Sequence, residues 1–148
     1  MSGRLLRIFL RPSARTPIRE VEQALAEVGT GLVSDHAGTG KRQVTLISRE
    51  AWERTCAELG QNLCPSTRRA NLLVEGVDLV ESRGRRLRVG PVLLEIGGET
   101  RPCELLDDAQ VGLQQALDSE WRAGAYARVL VGGLLAPGDS VELLEDES

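Results

Sequence analysis

The sequence predicts a mainly β protein with helical insertions (α+β), folded as a closed β-barrel in a single domain over residues 1–148. Short apolar runs recur along the chain with glycine-rich turns between them, which is typical of β-barrels. Only three segments show the spacing of amphipathic helices. The chain has neither an internal repeat nor an alternating strand–helix rhythm, which disfavours a parallel α/β sheet.

The composition indicates the class of protein and excludes one class of partner. A chain of 148 residues, 41% of them hydrophobic and 27% charged, is typical of a globular domain that buries about two-thirds of its unfolded surface. Aromatic residues make up only 3%, and the net charge is −4. Stacking platforms and a basic surface are therefore both lacking, and we expect no nucleic-acid partner.

Compartment and redox state follow from the apolar runs and the cysteines. No run is long enough to cross a membrane, so we expect no membrane association. The N-terminal segment 4–11 is interrupted by arginines and lacks the apolar block of an export signal. Three cysteines, an odd number, favour free thiols over a disulfide framework. These features predict a cytoplasmic protein, and its single histidine, His36, disfavours a zinc site.

The first third of the chain is predicted as a strand, a helix and a polar loop. Leu5 to Leu10 is the strand. Thr16 is the expected N-cap of a helix with Pro17 at its first position, and Gly29 is expected to end it. Four apolar residues recur at helical spacing in this segment: Ile18, Val21, Leu25 and Val28.

A glycine-rich loop over 31–42 follows and leads into a strand over 43–47. Its polar residues gather where that strand begins, a common position for binding residues, although the spacing alone favours a simple turn. They are Asp35, His36, Lys41 and Arg42. Ser48 is expected to cap a second helix from Arg49 to Leu59 that ends at Gly60, with Cys56 in the core.

The remaining segments complete the β-rich pattern. Strands are predicted over 71–76, 86–89, 92–96, 125–131 and 141–144. Asp107 and Gln110 have capping-box spacing and are expected to open a third helix that runs to Leu117. Four arginines between residues 83 and 88 indicate a charged hairpin at the edge of a sheet. The acidic end, residues 145–148, is expected to be frayed.

Cys103 is the principal candidate for a reactive group. It lies between a predicted strand and a predicted helix, with Arg101 beside it. A permanent positive charge and a helix N-terminus both favour thiolate over thiol. A thiolate can attack, carry sulfur or bind a soft metal. The alternative interpretation is a small buried apolar residue.

Taken together, these segments resemble the MOSC domain, the C-terminal domain of molybdenum cofactor sulfurase, from about Gly31 to Leu143. The size of the chain is similar to that of the stand-alone bacterial branch of the family. The resemblance rests on the order of several short pieces: 34–38 with 42–44, 69–72 with 74–76, 87–90, 101–103, 122–124, 131–133 and 137–141.

The resemblance implies a β-barrel with Cys103, in a Pro-Cys setting, as the catalytic residue. That cysteine would either carry sulfur as a persulfide or bind the molybdenum of a molybdopterin cofactor as its thiolate. Some members are fused to a pyridoxal-phosphate-dependent desulfurase domain, which this chain has no room for. Pyridoxal phosphate would therefore enter only through a separate cysteine desulfurase acting as the sulfur donor. Many stand-alone members have Glu-Asn where this chain has Ala70-Asn71, so a role for that glutamate does not transfer.

The expected cofactor contacts are polar residues that match the phosphate and pterin of such a cofactor. Arginine forks suit a phosphate, and an asparagine amide can donate to and accept from a pterin edge. The set is Asp35, His36, Lys41, Arg42, Arg68, Arg69, Asn71, Arg101 and Arg122. Asp35 is interpreted as a loop cap rather than an acid or base, and His36 either anchors its loop or contacts the cofactor. Cys64 could act as a second thiol.

Three functions remain open at this point. The first is a protein that binds molybdenum cofactor or carries sulfur for it on Cys103. The second is a molybdenum-dependent reductase of N-hydroxylated compounds, which needs a separate reductase as electron donor because no flavin, nicotinamide or iron–sulfur motif is present. The third is a non-catalytic module that binds a small ligand or a protein, with Cys103 merely packed.

Overall fold

A computed structural model describes residues 2–12, 17–35, 42–64, 70–100, 111–117 and 121–144. The helices are α1 (Arg49–Leu59) and α2 (Leu113–Leu117). The strands are β1 (Ser2–Leu10), β2 (Arg19–Val21), β3 (Ala24–Glu27), β4 (Gly31–Leu32), β5 (Val44–Ser48), β6 (Leu72–Glu75), β7 (Arg86–Val89), β8 (Val92–Glu99), β9 (Ala125–Val131), β10 (Gly133–Leu135) and β11 (Ser140–Leu143).

Seven strands close into a barrel in the order β11-β7-β8-β9-β5-β6-β1, because β11 also pairs with β1. The strand β2 pairs with the C-terminal residues of β1, Ile8 to Leu10. The strands β10, β3 and β4 form a separate three-stranded sheet. Among the described strand pairings, only that of β5 with β6 is parallel, and α1 lies in the crossover between these two strands. The predicted closed barrel is confirmed. The predicted hairpin edge at residues 83–88 is wrong, because β7 pairs with β8 on one side and β11 on the other.

Apolar side chains on the inner face of the strands fill the barrel. Leu5, Leu46, Leu94 and Val141 belong to this cluster and are all fully buried. On β8, buried and half-buried residues alternate from Val92 to Glu99, as expected of a strand with one face on a core. A second apolar cluster lies on the outer face, between the helices and the sheet: Phe9, Ile47, Trp52, Ala70, Leu73, Leu113, Leu117 and Ala123.

The helix α1 begins and ends as the sequence predicts. The Ser48 hydroxyl accepts a hydrogen bond from the Ala51 amide at 3.0 Å, and Gly60 ends the helix with a φ of 65°. Trp52 is buried beneath the helix, and Cys56 is half-buried against the second cluster. The predicted third helix is present as α2, while its expected cap at residues 107–110 lies outside the described residues.

The predicted helix over residues 17–28 is wrong, since this segment forms β2 and β3. Two of its large apolar residues are exposed, Leu25 by 45% and Val28 by 62%, whereas Ala24 and Ala26 are buried. The buried positions therefore alternate along a strand and happen to carry small side chains, which the helical spacing of the larger ones concealed. Gly29 has a φ of 87° in the turn between β3 and β4.

The sequence analysis also missed β10, whose three residues pair with β3. Among the residues described, no helix has the length and apolar character required to cross a membrane.

Candidate functional site

Asn71 is the centre of a buried polar network at the start of β6. Its Oδ1 accepts from the Thr45 amide at 3.0 Å and from the Thr45 hydroxyl at 3.1 Å. Its Nδ2 donates to the Phe9 carbonyl at 3.1 Å and to Asp35 Oδ1 at 3.0 Å. The Asn71 side chain is fully buried. These four hydrogen bonds use both lone pairs of its oxygen and both of its N–H groups. Asn71 thereby holds β1, β5 and the loop after β4 together.

In the described part of the chain, Asp35 has one oxygen that accepts hydrogen bonds and one that forms only a longer ion pair with Arg11. Oδ1 also accepts from the Arg11 amide at 2.7 Å, which ties the loop to the end of β1. Oδ2 lies 3.7 Å from Arg11 Nη2, and the Asp35 side chain is fully inaccessible to solvent. Among the described residues, neither Asp35 Oδ2 nor Arg11 Nε has a hydrogen-bond partner. A buried carboxylate oxygen without a hydrogen-bond donor is unusual in folded proteins.

A row of positions crosses four neighbouring strands from this network. The Asn71 amide donates to the Thr45 carbonyl at 3.0 Å. Thr45 on β5 is the register partner of Tyr126 on β9, and Tyr126 is the partner of Gly98 on β8. A Cβ on Gly97 would lie 2.4 Å from the Tyr126 ring, so the glycine leaves the room that this ring occupies.

Thr100 follows the end of β8 and leads into the segment that carries Cys103. Its amide donates to the Gly124 carbonyl at 2.9 Å. Its hydroxyl is buried and has no partner in the part of the chain that is described. Like Asp35, Thr100 presents a buried polar atom at the border of a predicted site segment.

Within the described residues, Arg122 contacts Glu58 of α1 and Ala116 of α2. Arg122 is buried in the segment before β9. Its Nη1 donates to Glu58 Oε2 of α1 at 2.5 Å, and its Nη2 donates to Glu58 Oε1 at 2.9 Å. The Arg122 Nη1 also donates to the Ala116 carbonyl at 3.2 Å. The hydrogen bond from Arg122 lowers the pKa of the Glu58 carboxyl below its ordinary value, and the charges of Arg122 and Arg54 add to this. In this arrangement Arg122 joins α1 to the segment that leads into β9.

Of the predicted site residues, Asp35, Arg42, Asn71 and Arg122 lie within the described ranges. Arg42 is exposed just before β5. The structure brings only Asp35 and Asn71 into contact. The others fall outside the described residues: His36, Lys41, Arg68, Arg69, Arg101 and Cys103. Their roles, and cofactor contact by any member of the set, stay predictions.

Cys64 is exposed, with its sulfur 3.9 Å from Arg7 Nη1. Arg7 binds Glu20 of β2 through Nε at 3.0 Å and Nη2 at 2.5 Å, and its guanidinium lies 5.0 Å from the Phe9 ring centre. The hydrogen bond between Arg7 and Glu20 is the main cause of both pKa shifts in the pair. It raises the pKa of Arg7 and lowers the pKa of Glu20. Within the described residues, no group of three histidine, cysteine or acidic side chains could hold a metal ion.

Sequence reasoning missed Arg11, Thr45, Thr100 and Tyr126. Arg11 and Thr45 carry no local signal, because their partners are more than twenty residues away along the chain. Tyr126 could have been found, since it is the only tyrosine of the chain. The adjacent glycines 97 and 98 within a strand are also an indication of close approach by another group.

Comparison with known proteins gives a family and a fold. The profile of the MOSC domain matches residues 33–142. The YuaD protein from Bacillus subtilis superposes with a TM-score of 0.82 at 18% identity, covering 97% of this chain and 96% of that one. YiiM from Geobacillus stearothermophilus superposes with a TM-score of 0.78 at 17% identity, over 97% of this chain and 75% of YiiM. None of the curated proteins compared with the chain matches it.

Proposed function

Because this chain belongs to the MOSC domain family, we propose that it binds molybdenum cofactor through the thiolate of Cys103. One structural observation carries the proposal beyond the family match. Asp35 Oδ2 and Thr100 Oγ1 are buried oxygens that lack partners among the described residues. Each borders on a segment that contains predicted site residues, His36 and Lys41 after Asp35 and Cys103 after Thr100.

These atoms fit a molybdopterin. The pterin edge presents N–H donors, and a carboxylate oxygen such as Asp35 Oδ2 is a strong acceptor for them. The Thr100 hydroxyl can donate or accept. Arg42 is exposed beside the same loop and can bind the phosphate tail as a fork. The residues present therefore suit this group.

The described side chains would orient the cofactor rather than react with it. Asn71 holds Asp35 through the bond to Oδ1, while Oδ2 has no hydrogen-bond donor among the described residues. Arg122 is the weakest of the predicted contacts, because a phosphate would have to displace Glu58 from both of its nitrogens. When bound, the cofactor supplies redox and sulfur chemistry at molybdenum, for which a soft thiolate is a suitable ligand.

The same thiolate would allow Cys103 to carry sulfur. In such a step the thiolate attacks the terminal sulfur of a protein persulfide on a cysteine desulfurase. The sulfur–sulfur bond of the donor breaks, the donor leaves as a thiolate, and Cys103 becomes the persulfide. This exchange needs neither an oxidant nor a reductant. It requires that Cys103 remain reduced, as it would in the cytoplasm where we expect the protein to reside.

The experiment that tests Cys103 as the reactive group measures alkylation and sulfur loading. The native protein is incubated with a cysteine desulfurase and free cysteine, and the intact mass is recorded before and after a reducing agent is added. We expect one added sulfur that Cys103→Ser abolishes and Cys64→Ser retains. We also expect Cys103 to react with iodoacetamide faster than Cys56, which is half-buried. Sulfur that persists in Cys103→Ser, or a Cys103 thiol inert in the native fold, would contradict the assignment.

A further inference from the structure

A groove of about 330 Å³ opens on the outer face of β8 and β9. Its lining consists of Arg83, Gly84, Glu95, Ile96, Gly97 and Arg128. The volume falls in the range of small-ligand sites. The Tyr126 ring packs against Gly97, which has no side chain to displace it.

The charges that line the groove are unbalanced. Arg128 binds a single oxygen of Glu95, Oε1, through Nε at 2.9 Å and Nη2 at 2.8 Å. Arg83 is exposed and forms no ion pair with any carboxylate of the described residues. Arg86 on β7 is the register partner of Glu95 and adds a further positive charge at the rim. The groove is therefore locally positive in a chain whose net charge is −4.

Two donors converge beside this backbone. A Cβ placed on Gly98 would lie 2.9 Å from the Tyr126 hydroxyl oxygen and 3.3 Å from Arg83 Nη2. The Tyr126 hydroxyl and the Arg83 guanidinium therefore both lie against Gly98, in the space that a side chain at this position would need. A hydroxyl and a guanidinium that lie side by side are donors of the kind that bind an oxyanion.

The turn that carries Arg83 is well supported. The neighbouring Ser82 is fully buried, and its hydroxyl donates to the Leu79 carbonyl at 2.7 Å. The Gly84 amide donates to the Ile96 carbonyl at 2.7 Å, and the Arg85 amide donates to the Ser82 carbonyl at 2.9 Å. The guanidinium is therefore attached to a preorganised backbone, which lowers the entropy cost of binding.

We propose that this groove binds the oxyanion of a small ligand, a phosphate or a carboxylate, between Arg83, Arg128 and the Tyr126 hydroxyl. Arg83 supplies the uncompensated charge, Arg128 the second guanidinium and Tyr126 a neutral donor. Glu95 fixes Arg128 and disfavours ligands with acidic groups on that side. The inference does not depend on the proposed role of Cys103.

The test is a titration of the full-length, uniformly ¹⁵N-labelled protein with inorganic phosphate at constant ionic strength, balanced with chloride. We expect saturable shifts of the amides of Gly84, Gly97 and Gly98. Arg83→Gln should weaken binding about tenfold, and Tyr126→Phe, which keeps the ring on the glycines, should weaken it about threefold. Arg88→Gln is the matched control, since Arg88 is an exposed arginine of β7 outside the groove, and it should bind phosphate like the native chain.

A parallel titration with benzoate distinguishes the source of the oxyanion. Tighter benzoate binding assigns the groove to carboxylates, and tighter phosphate binding assigns it to phosphate esters. Shifts that stay linear with both anions, or equal weakening in Arg83→Gln and Arg88→Gln, would overturn the proposal and indicate only general attraction to arginines. Neither readout involves Cys103, so this test and that of the proposed function can fail separately.

Discussion

Asn71 illustrates how one residue can organise a site without offering it a free atom. The four hydrogen bonds of its side chain join β1, β5 and the loop after β4, and one of them holds Asp35. A buried amide that is fully satisfied contributes to both stability and uniqueness of the fold. Its effect on a ligand would then be indirect, through the position of the Asp35 carboxylate.

Replacement of Asn71 should be costly. We expect Asn71→Ala to lower the free energy of unfolding by about 2–4 kcal/mol, because it leaves the buried Thr45 amide and Phe9 carbonyl without these partners. Urea denaturation measures the change. Asn62→Ala is the matched control, since Asn62 is exposed and its replacement should alter stability by less than about 0.5 kcal/mol. Similar losses in the two variants would show that the network is not stabilising.

The helix α1 depends on signals at three points along the chain. Ser48 and Gly60 determine where it begins and ends, and both were evident in the sequence. Its attachment to the segment before β9 comes from Arg122 and Glu58, which are 64 residues apart. No local pattern could predict this ion pair. It shows that Arg122 attaches α1 to the barrel in the described structure.

The Glu58–Arg122 pair makes a contribution to stability that depends on pH. Because the folded-state pKa of Glu58 lies below its ordinary value of 4.5, the contribution is complete above that value and is lost as the pH falls through the folded-state pKa. We therefore expect Glu58→Gln to be less stable than the native chain at pH 7, with a difference that shrinks below about pH 4.5. Urea midpoints across this range measure it.

Glu53→Gln provides the comparison for that experiment. Glu53 lies on the same helix and is 67% exposed, and its ion pair with Arg49 has a longer separation of 3.7 Å. Its replacement should change stability little at any pH. A stability difference for Glu58→Gln that stays constant from pH 7 to acid would contradict the assignment of the pair.

Among the elements, local patterns predicted those whose buried residues are large. The strands β1, β7 and β9 were predicted because apolar side chains face the barrel core. The segment that forms β2 and β3 was misassigned because its buried positions carry Ala24 and Ala26. Register with distant strands, rather than local preference, determines that segment. The contact of Asp35 with Asn71 likewise depends on strand pairing across 36 residues. Both residues were predicted as site residues, but the hydrogen bond between them was not.

At the scale of the whole molecule, β11 closes the barrel. It pairs with both β1 and β7, which joins the two ends of the strand order. Val141 is fully buried at this junction and is register partner to both Gly3 and Val89. Closure leaves no free edge among these seven strands, which protects them from pairing with other chains.

Weakening this junction should destabilise the entire fold. We expect Val141→Ala to lower the free energy of unfolding by about 2 kcal/mol in a single cooperative transition. Val131→Ala on β9 is the control, since Val131 is 50% exposed and should cost less than about 0.5 kcal/mol. Chemical denaturation followed by tryptophan fluorescence reports both variants. Equal losses would mean that β11 does not limit the stability of the barrel.

The molybdenum content of the protein tests the central claim most directly. The native chain, Cys103→Ser and Cys64→Ser would be isolated without oxygen from a host that makes the cofactor, and the metal would be measured per chain by mass spectrometry. We expect close to one molybdenum in the native chain and in Cys64→Ser, and loss of the metal from Cys103→Ser. Molybdenum retained by Cys103→Ser, or absent from the native chain, would contradict it.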